Sequence, residues 1–198
     1  MESTRNNRRA DAALLDAARE CIIRVGLRRT KLTDVAHRAG VSRMTLYRRW
    51  PDMESLVSDL MTREWGAVSA TALGAARGDS ARERLVDALV TCVAGVRSSP
   101  MLRRIAELDP EILLPYVVDR RGTSIDRLLD LVVDGIAAGQ RDGSVRAGDP
   151  ALLARAALLA IQGFTLSTQT MTDEVDEARL AAELTPLLDR YLSPESAT

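Results

Sequence analysis

Residues 30–53, TKLTDVAHRAGVSRMTLYRRWPDM, leave the chain few choices: a short helix, a glycine corner and a second short helix. Thr30 can cap the first helix through its hydroxyl, which puts Leu32, Val35 and Ala36 on one inward face. Gly40 ends that helix, because the corner needs a left-handed residue without a Cβ clash, and Val41 anchors the turn. Ser42 caps the second helix and Leu46 is its inward anchor. Arg43, Met44, Thr45, Tyr47, Arg48 and Arg49 are left on the other faces. Two helices crossing steeply need a small residue at the crossing, a glycine corner four residues on and an apolar anchor midway along the second helix. Ala36, Gly40 and Leu46 supply these, so a helix-turn-helix is expected over about residues 31–50.

The segment AGVSRMTLYRRWPDMESL resembles the DNA-binding domain of TetR-family transcriptional repressors. The family pattern reads roughly Ala-Gly-Val-Ser-basic-Gly-Thr-Leu-Tyr-x-x-aromatic-Pro-x-Lys-x-x-Leu. The chain matches it at residues 39–43 and 45–47 and at Trp50, Pro51 and Leu56. It departs at Met44, where glycine is usual, and at Met53, where a phosphate-binding lysine is usual. The first departure suggests altered base contacts. The second removes a charge but leaves the backbone N–H groups of the helix that Asp52 caps. Arg43, Met44 and Arg48 are the candidates for base edges: arginine can bind guanine bidentately, and Met44 can contact a thymine methyl. Thr30, Ser42, Thr45, Tyr47, Arg49 and the Met53 backbone are the candidates for phosphates, contacts that position without specifying.

Charge agrees with that division. The chain carries a net charge of −1, yet residues 1–50 hold 12 Lys or Arg against 5 Asp or Glu, and residues 51–198 hold 15 against 23. A basic head of +7 on a body of −8 is what a duplex-binding module on an acidic partner or ligand body presents. Cys21 and Cys92 fall at apolar helical positions without a CxxC partner and read as buried small hydrophobes in a reducing compartment. His37, the only histidine, lies within the helix-turn-helix. With no metal-ligand cluster and no complete P-loop, no catalytic residue, metal or cofactor is expected, and the chain does not read as an enzyme. The N-terminus lacks the apolar core of a signal peptide and no uninterrupted apolar run reaches the length of about 18 residues that a membrane span requires. A cytoplasmic protein is expected.

Composition rich in Ala, Leu, Arg and Glu favours an all-α fold. Residues 1–9, with Arg5, Arg8 and Arg9, read either as a disordered tail or as an arm reaching a groove or the backbone. From about Ala10, Leu14, Ala18, Cys21, Ile22 and Val25 mark one face of a helix closed by Gly26, which completes a three-helix head. A fourth helix with Leu56, Val57, Leu60 and Met61 runs to near Trp65 as the connector. The domain boundary is expected near Gly66: a helix-turn-helix domain with connector at residues 1–66, and a helical ligand-binding and dimerisation domain at residues 67–198. Further helix starts are expected at Ser80, in a capping box with Glu83, at Ser99-Pro100, at Asp109-Pro110, at Ser124 and at Asp149-Pro150. A last helix over residues 174–192 should break or bend at Pro186.

The stretch ALLARAALLAIQGFTLS is apolar on nearly every face, so one side should meet the body's core and the other a second buried surface. The family resemblance implies that two such C-terminal helices from each of two chains form a four-helix homodimer interface. It also implies a palindromic operator in double-stranded DNA, a small-molecule effector of the body, and no membrane. Met61, Trp65, Met101, Ile105, Tyr116 and Phe164 are the pocket candidates, since they bring adaptable or aromatic surface to the body's helices. The alternative is a ligand-independent dimeric DNA-binding protein with an architectural or partner-controlled role.

Overall fold

The computed structural model describes residues 2–113 and 122–194, with side chains from residue 10 onward. In order the helices are α1 (Glu2–Val25), α2 (Leu32–Arg38), α3 (Arg43–Arg49), α4 (Met53–Ala75), α5 (Ala81–Arg97), α6 (Pro100–Leu108), α7 (Thr123–Arg141), α8 (Pro150–Leu166), α9 (Glu177–Ala182) and α10 (Leu184–Leu192). Short 3₁₀ turns lie at Pro110–Ile112 and Thr168–Met171, and no strand occurs among the described residues. Two compact units result: Met1–Glu64 with Ser99–Thr123, and Trp65–Ser98 with Ser124–Thr198.

The first unit holds a single core. Leu14, Ala18, Cys21 and Ile22 of α1 meet Leu32, Val35 and Ala36 of α2, Leu46 of α3, Trp50, and Leu56 and Leu60 of α4. Met101 and Ile105 of α6 complete it, so a segment lying beyond α5 in sequence belongs to the helix-turn-helix unit, not to the body. Ion pairs fasten α4 to α1: Arg19 Nε lies 2.9 Å from Glu64 Oε2, and Arg63 Nη1 lies 2.9 Å from Asp16 Oδ1.

The second unit packs α5 against α8 and α10. Its core joins Leu85, Leu89 and Val93 to Val132 and Ile136, to Leu153, Ala154 and Ala157, and to Leu184 and Leu188. Gly135 lets α7 approach α5 closely, since a Cβ there would stand 3.0 Å from Leu85 Cδ1. No single described helix is long and apolar enough to cross a membrane.

Local chemistry accounts for most helix starts. Ser80 Oγ accepts from Glu83 N (3.2 Å) while Glu83 Oε2 accepts from Asp79 N (2.7 Å) and Ser80 N (3.4 Å). Ser99 Oγ accepts from Leu102 N ahead of Pro100, and Asp149 Oδ1 accepts from Ala151 N ahead of Pro150.

Several expectations need correction. The α1 helix begins at Glu2, not near Ala10, because apolar periodicity marks where a helix packs and residues 2–13 hold no glycine or proline to stop it. Thr30 is not the cap of α2. Its hydroxyl donates to Gly26 O at 2.7 Å, and the position before the helix is Lys31, whose N–H donates to Asp34 Oδ2 at 3.3 Å. The α4 helix continues through Gly66 to Ala75, carried by alanines that outweigh two glycines. At Asp109-Pro110 the described residues form a 3₁₀ turn over Pro110–Ile112 that the Asp109 side chain does not cap, because its carboxylate is engaged elsewhere. The α7 helix begins one residue before its expected cap, Ser124. The C-terminal break falls at Glu183, just ahead of Pro186, which has no N–H for the Ala182 carbonyl. Pro115, whose ring is expected to kink or shorten a helix started at Asp109-Pro110, lies outside the described residues.

Candidate nucleic-acid interface

The corner between α2 and α3 is built by backbone geometry. Gly40 takes φ +68°, its N–H donates to His37 O (3.1 Å), and Val41 N donates to Ala36 O (3.0 Å). These two bonds are the Schellman pair, which satisfies carbonyls at the end of α2 and turns the chain sharply toward Ser42. Ser42 Oγ accepts from Thr45 N (3.1 Å) and lies 2.9 Å from the Thr45 hydroxyl, so the start of α3 is closed.

A seven-residue helix has too few internal hydrogen bonds to stand alone. Leu46, 0% exposed, fastens it to the core, and Trp50, at its end, is buried with its indole N–H donating to Asp59 Oδ2 at 2.9 Å. With those two held inward, Arg43, Met44, Thr45, Tyr47, Arg48 and Arg49 all face outward, and Met44 is 77% exposed. An apolar side chain so far into solvent next to cations matches a helix that meets a base-edge surface carrying both acceptors and methyl groups.

The three arginines of α3 are not equivalent. Arg49 Nε pairs with Asp11 Oδ2 at 3.0 Å, and its guanidinium lies 5.4 Å from the Trp50 ring centroid. Arg43 and Arg48 carry no ion pair among the described residues, so their charge is free for an external anion. Ser42 and Thr45 remain exposed. Thr30 is corrected as a phosphate contact: it is buried, its hydroxyl serves Gly26, and its N–H donates to Leu27 O (3.1 Å). The Met53 side chain is half-buried against the core at the first turn of α4. Asp52 precedes it, accepting from Ser55 N at 2.7 Å; that backbone bond, then the Ser55 side chain, hold its carboxyl below the usual aspartate range.

The pocket candidates among the described residues divide between the two units. Met101 and Ile105 are fully buried in the first unit's core, contrary to their expected place in the body, and Met61 packs against that same core. Trp65 is half-buried, Phe164 packs against the second unit's core, and Tyr116 lies outside the described residues. Sequence reasoning instead missed an apolar cleft in the second unit, lined by Ser69, Leu85, Leu89, Cys92, Leu128 and Val132 among others. Within it Cys92 Sγ lies 3.7 Å from Ser69 Oγ, and burial raises the Cys92 thiol pKa above its ordinary value. Burial likewise raises that of Cys21. Asp11, Asp59 and Asp109 were also missed, since each acts on a partner that no local spacing reveals. Among the described residues no group of three or more His, Cys, Asp or Glu is placed to hold a metal ion.

Comparison with known proteins agrees with this geometry. A family model described as bacterial regulatory proteins, tetR family, matches residues 14–60, from the middle of α1 to the first part of α4. Uncharacterised HTH-type transcriptional regulators of Mycobacterium bovis and Mycobacterium tuberculosis are 36% and 35% identical over 189 residues, covering 94% of this chain and 97% of each relative. The fold is shared with the R. erythropolis transcriptional repressor QsdR, at TM-score 0.67 and 18% identity over 96% of this chain and 98% of that one. It is shared too with a Saccharomonospora viridis protein solved in complex with choline, at TM-score 0.66 and 20% identity over 94% and 98%. The chain belongs to the TetR family and is a helix-turn-helix, DNA-binding transcriptional regulator.

Proposed function

We propose that the protein is a homodimeric repressor whose two α3 helices read the half-sites of a palindromic operator, and that a small molecule bound in the body releases it. The carrying observation is the outward face of α3, where Arg43, Met44 and Arg48 are exposed and the two arginines are free of ion pairs among the described residues. Arg43 and Arg48 read guanine edges and Met44 reads a thymine methyl. Ser42, Thr45, Tyr47, Arg49 and the Met53 N–H hold phosphates. The head comprises residues 1–64 together with residues 99–113, and the rest of the described body carries dimerisation and effector binding.

Dimerisation is supported by α8. Leu152 and Leu159 are 64% and 69% exposed, Leu166 is exposed, and the small residues Ala156 and Gly163 lie between them on the same face. Leu187 extends the apolar surface on α10. The apolar cleft beside Ser69 and Cys92 encloses only about 20 Å³, room for about one water, so effector binding rests on the family resemblance and would require the helices lining that cleft to separate. The description of QsdR as a repressor favours repression as the direction of control.

Arg43→Ala should cost about 1–3 kcal/mol on the cognate duplex and relax preference at one base pair of each half-site. Fluorescence anisotropy on cognate and random duplexes measures both. An equal loss on the two duplexes would remove the base-reading role.

A further inference from the structure

Asp109 is 4% exposed and ends α6, and its side chain makes no capping hydrogen bond to the 3₁₀ turn that follows. Its carboxylate reaches across 82 residues of sequence, where Oδ2 accepts from Leu27 N at 2.7 Å and from Arg28 N at 3.3 Å. Those two N–H groups follow Gly26, which takes φ +87°, and a left-handed residue followed by successive N–H groups makes a small anion-binding concavity. The fit is close: a Cβ on Gly26 would stand 2.9 Å from Leu108 Cδ1 and 3.0 Å from Asp109 Oδ2. A second tie lies just outside, where Arg28 Nε meets Glu111 Oε1 at 2.7 Å.

The loop so held is the one that launches α2. Thr30 bonds back to Gly26 O and Leu27 O, Leu27 is buried in the core, and Lys31 then opens the helix. The six-residue connection 26–31 is thus tied at Leu27, Arg28, Thr30 and Lys31. On the other side, Met101 and Ile105 of α6 lie in the core that also receives Leu46 of α3 and Trp50. Residues 99–113 therefore touch the loop that leads into the helix-turn-helix and pack against α1 in the core that α3 shares.

We propose that Asp109 is a positioning residue for DNA recognition: its carboxylate, clamped on the Leu27 and Arg28 amides, fixes the angle at which α2 and α3 leave α1 and thereby sets how α3 is presented to the duplex. The inference rests on α3 being the recognition helix. It gives the segment after α5 a direct hold on operator affinity that does not pass through α4. Breaking the clamp leaves a folded head that samples several presentations, of which one reads the operator. Specific affinity falls by the competent fraction, whereas phosphate-driven affinity for arbitrary DNA does not depend on it.

The test uses the full chain as Asp109→Leu, which removes the acceptor at similar volume, and as Asp109→Asn, which keeps an acceptor oxygen without the charge. Affinity is measured for the duplex selected by the wild type and for a random duplex, with active protein titrated well below the unfolding temperature. Amide exchange at Leu27 and Arg28 is followed in parallel. Asp109→Leu should speed exchange at both amides and weaken operator binding by about tenfold, a factor bounded by what one charge-assisted acceptor can bias, with random-duplex binding unchanged. Asp109→Asn should recover most of it, leaving a loss of about two- to fivefold. Faster amide exchange with unchanged operator affinity, or an equal loss on both duplexes, would overturn the proposal. Should Asp109→Leu unfold, Asp109→Asn decides, and wild-type operator affinity in that variant would overturn it. Arg43→Ala separates the premises. If it leaves sequence preference intact, the recognition reading fails and the proposal with it; if it relaxes preference while Asp109→Leu leaves operator affinity unchanged, only the clamp fails.

Discussion

Replacing Leu46 by alanine, and separately Met44 by alanine, sets two apolar side chains of one short helix against each other. Leu46 is 0% exposed and sits among Trp50, Leu56 and Leu60, whereas Met44 is 77% exposed. Truncating a buried leucine costs its transfer free energy plus the cavity left behind, about 3 kcal/mol within an observed span of roughly 2–5. In a chain of this size that lowers the melting temperature by roughly 6–12 °C. Because α3 is too short to persist without its anchor, specific operator binding should be lost while salt-sensitive binding to random DNA survives at temperatures where the chain is folded. Met44→Ala removes a side chain that touches little, so its stability should stay within about 0.5 kcal/mol of wild type while its preferred operator sequence changes. Urea unfolding at a constant slope against denaturant, with anisotropy on both duplexes, reads all four quantities. A Leu46→Ala cost below about 1 kcal/mol, or a Met44→Ala cost comparable to it, would refute the assignment of inward and outward faces on α3.

Other consequences are independent of that pair. Asp11→Ala should tighten DNA binding and steepen the salt dependence by about one counterion, because it frees Arg49 and removes a negative charge; weaker binding would contradict this. Leu159→Glu should give monomers in light scattering while leaving the fold intact by circular dichroism, and an unchanged dimer would exclude α8 from the interface. Asp142 accepts from the Ser144 side chain and from the Ala81 and Ser144 N–H groups, which lower its carboxyl pKa. Its folded pKa thus lies below the unfolded one, so its stabilisation is present above the ordinary aspartate value near 3.9 and is lost as pH falls through the folded value. The melting temperature of Asp142→Asn should accordingly lie below wild type at neutral pH and converge with it as pH falls below the ordinary aspartate value, and a gap that widens on acidification would reverse the sign of the shift.

Where a structural decision rests on neighbours within a turn of helix, the sequence shows it. Gly40 with Val41, Ser42 with Leu46, Ser80 with Glu83 and Asp149 with Pro150 each contain the whole of their own chemistry, and each forms as its spacing dictates. The outward face of α3 was legible for the same reason, since one buried leucine assigns every other position. Reach across the chain was not legible. Asp109 carries a helix-starting signature with Pro110, yet a pair of amides 82 and 81 residues away holds its carboxylate more effectively than the next turn does. Met101 and Ile105 have the composition of pocket residues and the location of core residues, because periodicity names a buried face without naming the unit that buries it. Thr30 illustrates the same limit at short range: a hydroxyl beside a helix start can serve the helix ahead or the loop behind, and here the free carbonyl of Gly26 takes it.

The central claim is that α3 reads DNA sequence, and selection of bound duplexes from a random pool by the full-length protein tests it most directly. The account predicts enrichment of a palindrome whose half-sites lie about one helical turn apart, or a multiple of it, with a preference that Arg43→Ala relaxes at one position of each half-site. Salt-sensitive binding without any enrichment would contradict it, leaving the outward face of α3 a phosphate-binding surface only.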